Sequence, residues 1–205
     1  MFSAIASGAI FGINSYVTQI EVDTSESLPG FDMVGYLSAE VRESKERVKV
    51  ALKNSGIKLP PLRITVNVSP ANIRKEGTAF DLPIAVGILT SLKHIPMEHV
   101  SNCLILGELG LDGEVKGVPG VLPIVLEGKK QGYSNFFLPE DNAREGSVVD
   151  GVKIIGVKNL KMVIEYLNTE SEKQEELIPS SKIDLEELFE HIETHEKLDF
   201  SQING

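Results

Sequence analysis

The sequence predicts a mixed α+β fold, in which one sheet carries helices on one face or both. Two observations lead to it. The first third of the chain contains β-branched runs with a period of two, such as Tyr16 to Asp23. The second half alternates short apolar strands with helical segments that glycine or capping residues bound. The 205 residues, 41% of them hydrophobic, are enough for one globular domain with an appendage.

The first predicted elements are a hairpin, a short strand and a surface helix. Residues 3–12 and 16–23 are predicted to pair as antiparallel strands around Gly12-Ile-Asn. Residues 31–35 follow a turn and are predicted as a third strand. The helix is predicted over residues 38–54, with Ser38 as its N-cap and Gly56 after its end.

The stretch from Ile64 to Leu89 is the most informative part of the chain. Its β-branched start predicts a strand, which Ser69-Pro70 ends because proline has no N–H to donate. A polar loop, which we expect to be exposed, runs to Thr78. A buried helix follows, for which Asp81 is a candidate N-cap. A loop between a strand end and a helix N-terminus is a common place for chemistry or anion binding.

Strands and helices alternate in the second half. Strands are predicted at 103–109, 135–138 and 153–157, with a hairpin turn at Gly110-Leu-Asp-Gly113. Helices are predicted at 121–131 and 140–145, and from Asn159 to Leu167. The periodic apolar positions predict a core led by nine residues, which are Val66, Val68, Ile84, Ile88, Leu89, Leu104, Leu106, Ile124 and Ile155.

One face of the first helix carries a basic stripe, which consists of Arg42, Lys45, Lys49 and Lys53 at spacings of three and four. Such a stripe is commonly a solvated helix face, and here Glu43 and Arg47 are placed to pair at i,i+4. The functional alternative is contact with phosphate or with an acidic partner.

The net charge of −10 belongs mostly to the C-terminal part. Residues 166–205 hold eleven acidic and three basic side chains, so the rest of the chain is nearly neutral. Residues 168–181 have the composition of a linker, and Asp184 to Glu196 predicts an acidic amphipathic helix. We therefore expect a compact domain over residues 1–167 and a separate acidic linker and helix over residues 168–205.

Composition and motifs exclude several classes of function. No apolar run approaches the roughly 18 residues of a membrane span, and the N-terminus lacks the basic segment of a signal peptide. The single cysteine, Cys103, fits a buried thiol in a reducing cytoplasm. No P-loop, G-x-S-x-G or H-E-x-x-H motif occurs. His191 and His195 share a predicted helical face, but further metal ligands are not evident, so no metal site is predicted.

Six motifs follow one another along the chain. They are Val41-Arg-Glu-Ser-Lys-Glu-Arg-Val48, Arg63-Ile-Thr-Val-Asn-Val-Ser-Pro-Ala-Asn72, Lys75-Glu-Gly-Thr-Ala-Phe-Asp-Leu-Pro-Ile-Ala85, Gly107-Glu-Leu-Gly-Leu-Asp-Gly-Glu114, Gly120-Val-Leu-Pro123 and Asp150-Gly-Val-Lys-Ile-Ile-Gly156. Together they resemble the N-terminal domain of the Mg-chelatase-like AAA+ ATPases, the ComM/YifB family, over about residues 3–167. The resemblance implies the fold of ribosomal protein S5 domain 2, shared with the Lon protease domain, with a mixed sheet and helices packed on one face.

The resemblance also implies a function. Members continue into an ATPase module and are associated with hexameric DNA helicases, including branch migration. We expect this chain to be a non-catalytic accessory domain that helps to assemble the ring or guides DNA. It is expected to end before the ATPase module, which would bind ATP and Mg. The expected partners are the module itself, neighbouring subunits of a hexamer, and DNA, all in the cytoplasm. Candidate DNA contacts are Asn72, Arg74 and Lys75 of the loop and the basic stripe Arg42, Lys45, Lys49 and Lys53.

Lon-type proteases on this fold use a serine and a lysine, and the resemblance places Ala79 at the serine position and Pro123 near the lysine position. Alanine has no nucleophile and proline has no amine, so we predict no peptidase activity. Thr78 is adjacent but would point elsewhere. The alternative function is a degenerate Lon-like domain that binds a peptide or a protein partner.

Overall fold

A computed structural model describes residues 1–180 of the chain. The expectations for His191, His195 and the helix from Asp184 lie outside these described residues.

Within residues 1–180, seven strands form one sheet and two short strands form a separate ribbon. The sheet strands are β1 (Phe2–Phe11), β2 (Asn14–Ser25), β3 (Gly30–Val34), β4 (Arg63–Ser69), β5 (Cys103–Ile105), β8 (Asn135–Pro139) and β9 (Lys153–Val157). The ribbon strands are β6 (Glu108–Leu109) and β7 (Val115–Lys116). The helices are α1 (Ala39–Asn54), α2 (Asp81–Ser91), α3 (Val121–Lys130), α4 (Glu140–Gly146), α5 (Leu160–Asn168) and α6 (Ser171–Leu177), with a 3₁₀ turn at Met97–His99.

The sheet is mixed, as the sequence predicts, and its order is β3-β4-β2-β1-β5-β8-β9. The predicted hairpin is confirmed, because β1 and β2 pair antiparallel from Phe2 opposite Asp23 to Phe11 opposite Asn14. Strands β2 and β4 are also antiparallel. The remaining four pairs, β3–β4, β1–β5, β5–β8 and β8–β9, are parallel.

The expectation that all helices pack on one face of the sheet is wrong. On one side of β1, Ile5 approaches Gly87 of α2, while on the other side Gly8 lies against Ile124 of α3. A Cβ atom at Gly8 would come within 2.1 Å of the Ile124 side chain, so α3 sits directly on this strand. Side chains alternate across a strand, and the central strands carry apolar or small residues on both sides, so both sheet faces need cover.

The two faces accordingly bury separate apolar clusters. Helices α1, α2 and α5 enclose one cluster, and α3 and α4 enclose the other. All nine residues predicted to lead the core are at most 2% exposed, so that prediction is confirmed.

Two predicted N-caps are confirmed and a third is wrong. Ser38 Oγ accepts a hydrogen bond from Val41 N, and Asn159 Oδ1 accepts one from Met162 N. Asp81 is not a cap, because it is the first residue of α2 and its carboxylate points to other partners. The cap position is Phe80, which has no side chain that could accept a hydrogen bond.

Part of the predicted linker forms α6, which contacts the rest of the domain. Ile178, just after α6, is buried in the larger apolar cluster. Lys153 of β9 forms an ion pair of 2.8 Å with Glu175 of α6. The domain boundary at residue 167 stays a prediction.

Candidate functional site

The loop from Ser69 to Thr78 is attached to the start of α1. After leaving β4 it turns back, and the Lys75 N–H donates to the Tyr36 carbonyl at 2.9 Å. The Lys75 carbonyl in turn accepts from the Ser38 N–H at 3.0 Å. The loop therefore lies at the N-terminal end of the helix that carries the basic stripe.

Lys75 is completely buried, so the expectation that its ammonium lies at the surface is wrong. The Nζ atom turns inward and donates to the carbonyl of Pro70, at the other end of the same loop. Burial lowers the pKa of Lys75, because the charged form loses its hydration. This side chain fixes the shape of the loop from inside and cannot contact DNA in this conformation.

Asn72 and Arg74, in contrast, are exposed at the tip of the loop. The Arg74 guanidinium forms an ion pair of 3.1 Å with Glu76, and both side chains are about half exposed. An exposed pair of this kind is worth little energy, so a stronger anionic partner could take over the guanidinium. Arg74 is thus accessible, but its charge is partly matched.

The basic stripe is solvent-facing along α1. Arg42, Lys49 and Lys53 are exposed and Lys45 is half-buried. Within residues 1–180, none of the four has a carboxylate within salt-bridge distance. Glu46 falls four residues after Arg42 and three before Lys49, so one acidic side chain interrupts the stripe. The net charge of this face remains positive.

An ion pair between the partly buried Arg47 and the buried Asp81, which sequence reasoning missed, joins the helices on either side of the loop. Arg47 of α1 donates from Nε to Asp81 Oδ2 at 2.6 Å and from Nη2 to Oδ1 at 3.0 Å. The N–H of Leu109 donates to the same carboxylate at 3.2 Å. Both charged residues are visible in the sequence, but they are 34 positions apart, and no local pattern pairs them.

The surroundings of this pair have two opposing effects on the pKa of the Asp81 carboxyl. Burial raises the pKa of Asp81, and the hydrogen bonds from Arg47 oppose that rise. The same bond to Asp81 raises the pKa of Arg47. The pair joins α1, α2 and β6, so it sets where the loop between β4 and α2 ends.

A cavity of about 420 Å³ opens beside the loop, between the end of β1, residues 76–79 and the start of α3. Ala79 lines it together with Pro119 and Gly120, which come just before the predicted lysine position at Pro123. Pro123 is not part of the lining, and its carbonyl accepts a hydrogen bond from Ser15 Oγ at 2.9 Å. The polar side chains on the lining are Thr78 and Glu76.

Comparison with known proteins identifies the family. The family described as "Subunit ChlI of Mg-chelatase" matches residues 20–142, which is more than half of the chain. The competence protein ComM of Haemophilus influenzae is 37% identical over 80% of this chain and 32% of its own length. The protein YifB of Escherichia coli is 33% identical over 80% of this chain and 32% of its own length.

This chain belongs to the Mg-chelatase-like ComM/YifB family. The resemblance drawn from the sequence motifs is therefore confirmed, and the chain corresponds to the N-terminal domain of the family. It spans about a third of the length of the curated relatives it matches.

The family link to Lon is also found in the comparisons. Lon protease 2 of Bacillus subtilis is 27% identical over 78% of this chain and 30% of its own length.

Among residues 1–180, no helix is both long and apolar enough to cross a membrane. In the same residues, no group of three His, Cys, Asp or Glu side chains is arranged to hold a metal ion.

Proposed function

We propose that this chain is the non-catalytic N-terminal accessory domain of a Mg-chelatase-like AAA+ ATPase that acts on DNA as a ring of subunits. ATP and Mg would bind in an ATPase module outside these 205 residues. The observation that carries the proposal is membership of the ComM/YifB family over 80% of this chain but only a third of the relatives' length. One of those relatives is a competence protein.

The site supports a role in guiding DNA. Arg74 lies in the loop at the N-terminal end of α1, and the exposed cations of the stripe follow along that helix, so together they could contact successive phosphates. Lys75 is no longer a candidate because it is buried. The remaining candidates are Asn72, Arg74, Arg42, Lys45, Lys49 and Lys53.

The cavity beside the loop supports the absence of catalysis by this domain. Its lining offers a methyl group at Ala79, where a Lon-type nucleophile would stand, and a hydroxyl at the neighbouring Thr78, but no amine. A Ser–Lys mechanism needs both groups in one site. The domain would therefore contribute binding surface, and the ATPase module would supply the chemistry.

The test is the salt dependence of DNA binding by the full-length protein that contains this domain. We expect the triple variant Arg42→Gln/Lys49→Gln/Arg74→Gln to bind more weakly. The slope of log K against log salt should become shallower by about 0.9 for each duplex phosphate that the variant no longer neutralises, or by about 0.7 for a single strand.

The matched control for this test is Lys130→Gln/Lys161→Gln/Lys173→Gln. It removes three exposed lysines, from α3, α5 and α6, and should leave the slope unchanged. A slope unaffected by the triple variant would argue against phosphate contact by this domain.

A second candidate function is favoured by the cavity. Most of its lining is glycine, alanine, proline or isoleucine, which suits an apolar segment of a peptide or protein partner. Ala79→Leu should fill the cavity and weaken capture of fluorescein-labelled denatured casein, while leaving the salt slope for DNA intact. Capture that is equal for the variant and the parent protein would exclude this cavity as the peptide site.

A further inference from the structure

A second and larger cavity, of about 730 Å³, lies near the C-terminal end of the described residues, where β9 forms the edge of the sheet. It is a groove bordered by α4, the end of β9 and the start of α5. Ala143 and Gly156 form small-residue walls, and Met162 and Leu177 lie on the lining while still partly exposed. The groove therefore offers apolar surface that the first 180 residues leave uncovered.

The last described residues line this groove, and they are held in place. Ile178 is 4% exposed, and both the N–H and the hydroxyl of Ser180 donate to Glu175 Oε1, at 2.8 and 2.9 Å. Glu175 itself is paired with Lys153. Hydrogen bonds from Lys153 and Ser180 lower the pKa of Glu175 to about 2, so the carboxylate stays charged at neutral pH. The chain thus leaves the described part at a fixed point inside the groove.

The residues that follow carry an apolar set within short reach of that point. Leu185, Leu188, Phe189 and Ile192 recur at helical spacing. Leu185 is five residues after Ser180, so an extended chain could carry it no more than about 17 Å away. An amphipathic segment of this kind must cover its apolar side against something. The groove is an uncovered apolar surface at the very start of that segment.

The charges of the two surfaces are complementary. Residues 181–196 contain six acidic side chains and a single lysine. The groove presents Arg144 in the last turn of α4, which is exposed and has no carboxylate partner within residues 1–180. Lys158 also lines the groove, although Glu140 already pairs with it at 3.1 Å. Of these two cations, Arg144 is therefore the one that can pair with an acidic segment.

We propose that the groove between α4, β9 and α5 is the docking site for this chain's own segment Leu185 to Ile192. The apolar side chains of the segment pack against Met162, Ala143 and Leu177, and its carboxylates face Arg144. The inference does not depend on a role in DNA binding.

A spin label on the full 205-residue chain tests the docking. Thr194→Cys introduces a labelling site without removing an acid. The native Cys103 is buried, with its pKa raised to about 12, so it resists labelling at neutral pH. We expect a nitroxide at position 194 to broaden the amide resonances of residues 140–147 and 156–162, relative to the reduced label.

Two further variants separate docking from chance proximity. In the labelled chain, Phe189→Asp removes an apolar anchor and Arg144→Glu reverses the groove cation, and each should restore the broadened resonances at least in part. Lys58→Glu is the matched control, because it reverses an exposed lysine in the segment between α1 and β4 and should leave the broadening in place.

Each other outcome contradicts the proposal. Broadening at a different surface, or nowhere, would mean that the segment does not dock in the groove. Broadening that also arises when spin-labelled chains are mixed with unlabelled ¹⁵N chains would assign the groove to a second copy. Broadening that survives both Phe189→Asp and Arg144→Glu would exclude the apolar and ionic contacts proposed here.

Discussion

At the scale of single residues, two buried charges determine the shape of the candidate site. The side chain of Lys75 donates to one backbone carbonyl, whereas Asp81 accepts from a guanidinium and a backbone N–H. A buried charge costs free energy unless it is paired and hydrogen-bonded. Burial lowers the pKa of Lys75 and raises the pKa of Asp81, so the two residues should contribute with opposite sign to the pH dependence of stability.

Arg47→Met should destabilise the domain strongly at neutral pH. It leaves the buried Asp81 carboxylate without its main partner, a change that typically costs about 3–5 kcal/mol in the free energy of unfolding. The pKa of Asp81 is already raised by burial and would rise further without Arg47. The carboxyl is then favoured in its protonated form in the folded state, so the penalty sets in as the pH rises above the unfolded value of about 3.9.

Urea unfolding of Arg47→Met at pH 7 and near pH 4 checks this prediction. The loss of stability relative to the parent protein should be larger at pH 7. Arg47→Met/Asp81→Asn is the control, and its loss should depend little on pH because no buried carboxyl remains. An equal loss at both pH values for Arg47→Met would show that Asp81 is not the group left unpaired.

The stability of the Lys75→Met variant should fall, relative to the stability of the parent protein, as the pH rises. Burial lowers the pKa of Lys75, so the folded state penalises its charged form at neutral pH. That penalty fades as the pH rises through the lowered folded pKa toward the unfolded value of about 10.4. The stability of the parent protein should therefore gain on that of Lys75→Met between pH 7 and pH 10.

Unfolding in urea at the two pH values measures this difference, with Lys49→Met as the control for an exposed lysine. A constant difference between Lys75→Met and the parent protein would mean that Lys75 keeps an ordinary pKa in the folded state.

At the scale of elements, close packing of helices on both sheet faces is the main departure from expectation. Gly8→Ala should destabilise the domain by about 1–3 kcal/mol, because the new methyl group would overlap the Ile124 side chain of α3. Gly8→Ala/Ile124→Ala should recover part of that loss compared with the sum of the two single variants. Thermal or urea unfolding of the four proteins gives the coupling, and strict additivity would contradict direct contact between β1 and α3.

The helices and strands themselves were largely predictable, but the face of the sheet on which each helix packs was not. The β1–β2 hairpin, α1 with its Ser38 cap and β9 all follow from local periodicity and capping. The face on which a helix packs depends on how the chain crosses the sheet, which periodicity does not encode. Polar loop residues are normally exposed, so burial of Lys75 gave no signal in the sequence. The prediction that Asp81 is an N-cap was wrong, because an acidic residue at the start of a helix can equally form an ion pair.

At the scale of the whole molecule, the net charge of the chain is unevenly divided between its two parts. The acidic residues concentrate after position 166, whereas the exposed cations of α1 lie on the body. A domain that guided DNA would benefit from this separation, because the stripe attracts the phosphate backbone and the acidic part repels it. Family membership and the exposed cations of α1 both support the proposal that this domain contacts DNA.

The most direct test of a DNA-guiding role is to map contacts in the full-length protein. Forked DNA that carries 5-bromouracil would be photocrosslinked to the protein, and the attached peptides would be located by mass spectrometry. We predict crosslinks to the loop tip around Asn72 and Arg74 and to the solvent face of α1, with their yield reduced in Arg42→Gln/Lys49→Gln/Arg74→Gln. Crosslinks confined to the parts of the protein outside residues 1–180 would contradict a direct role of this domain in DNA contact.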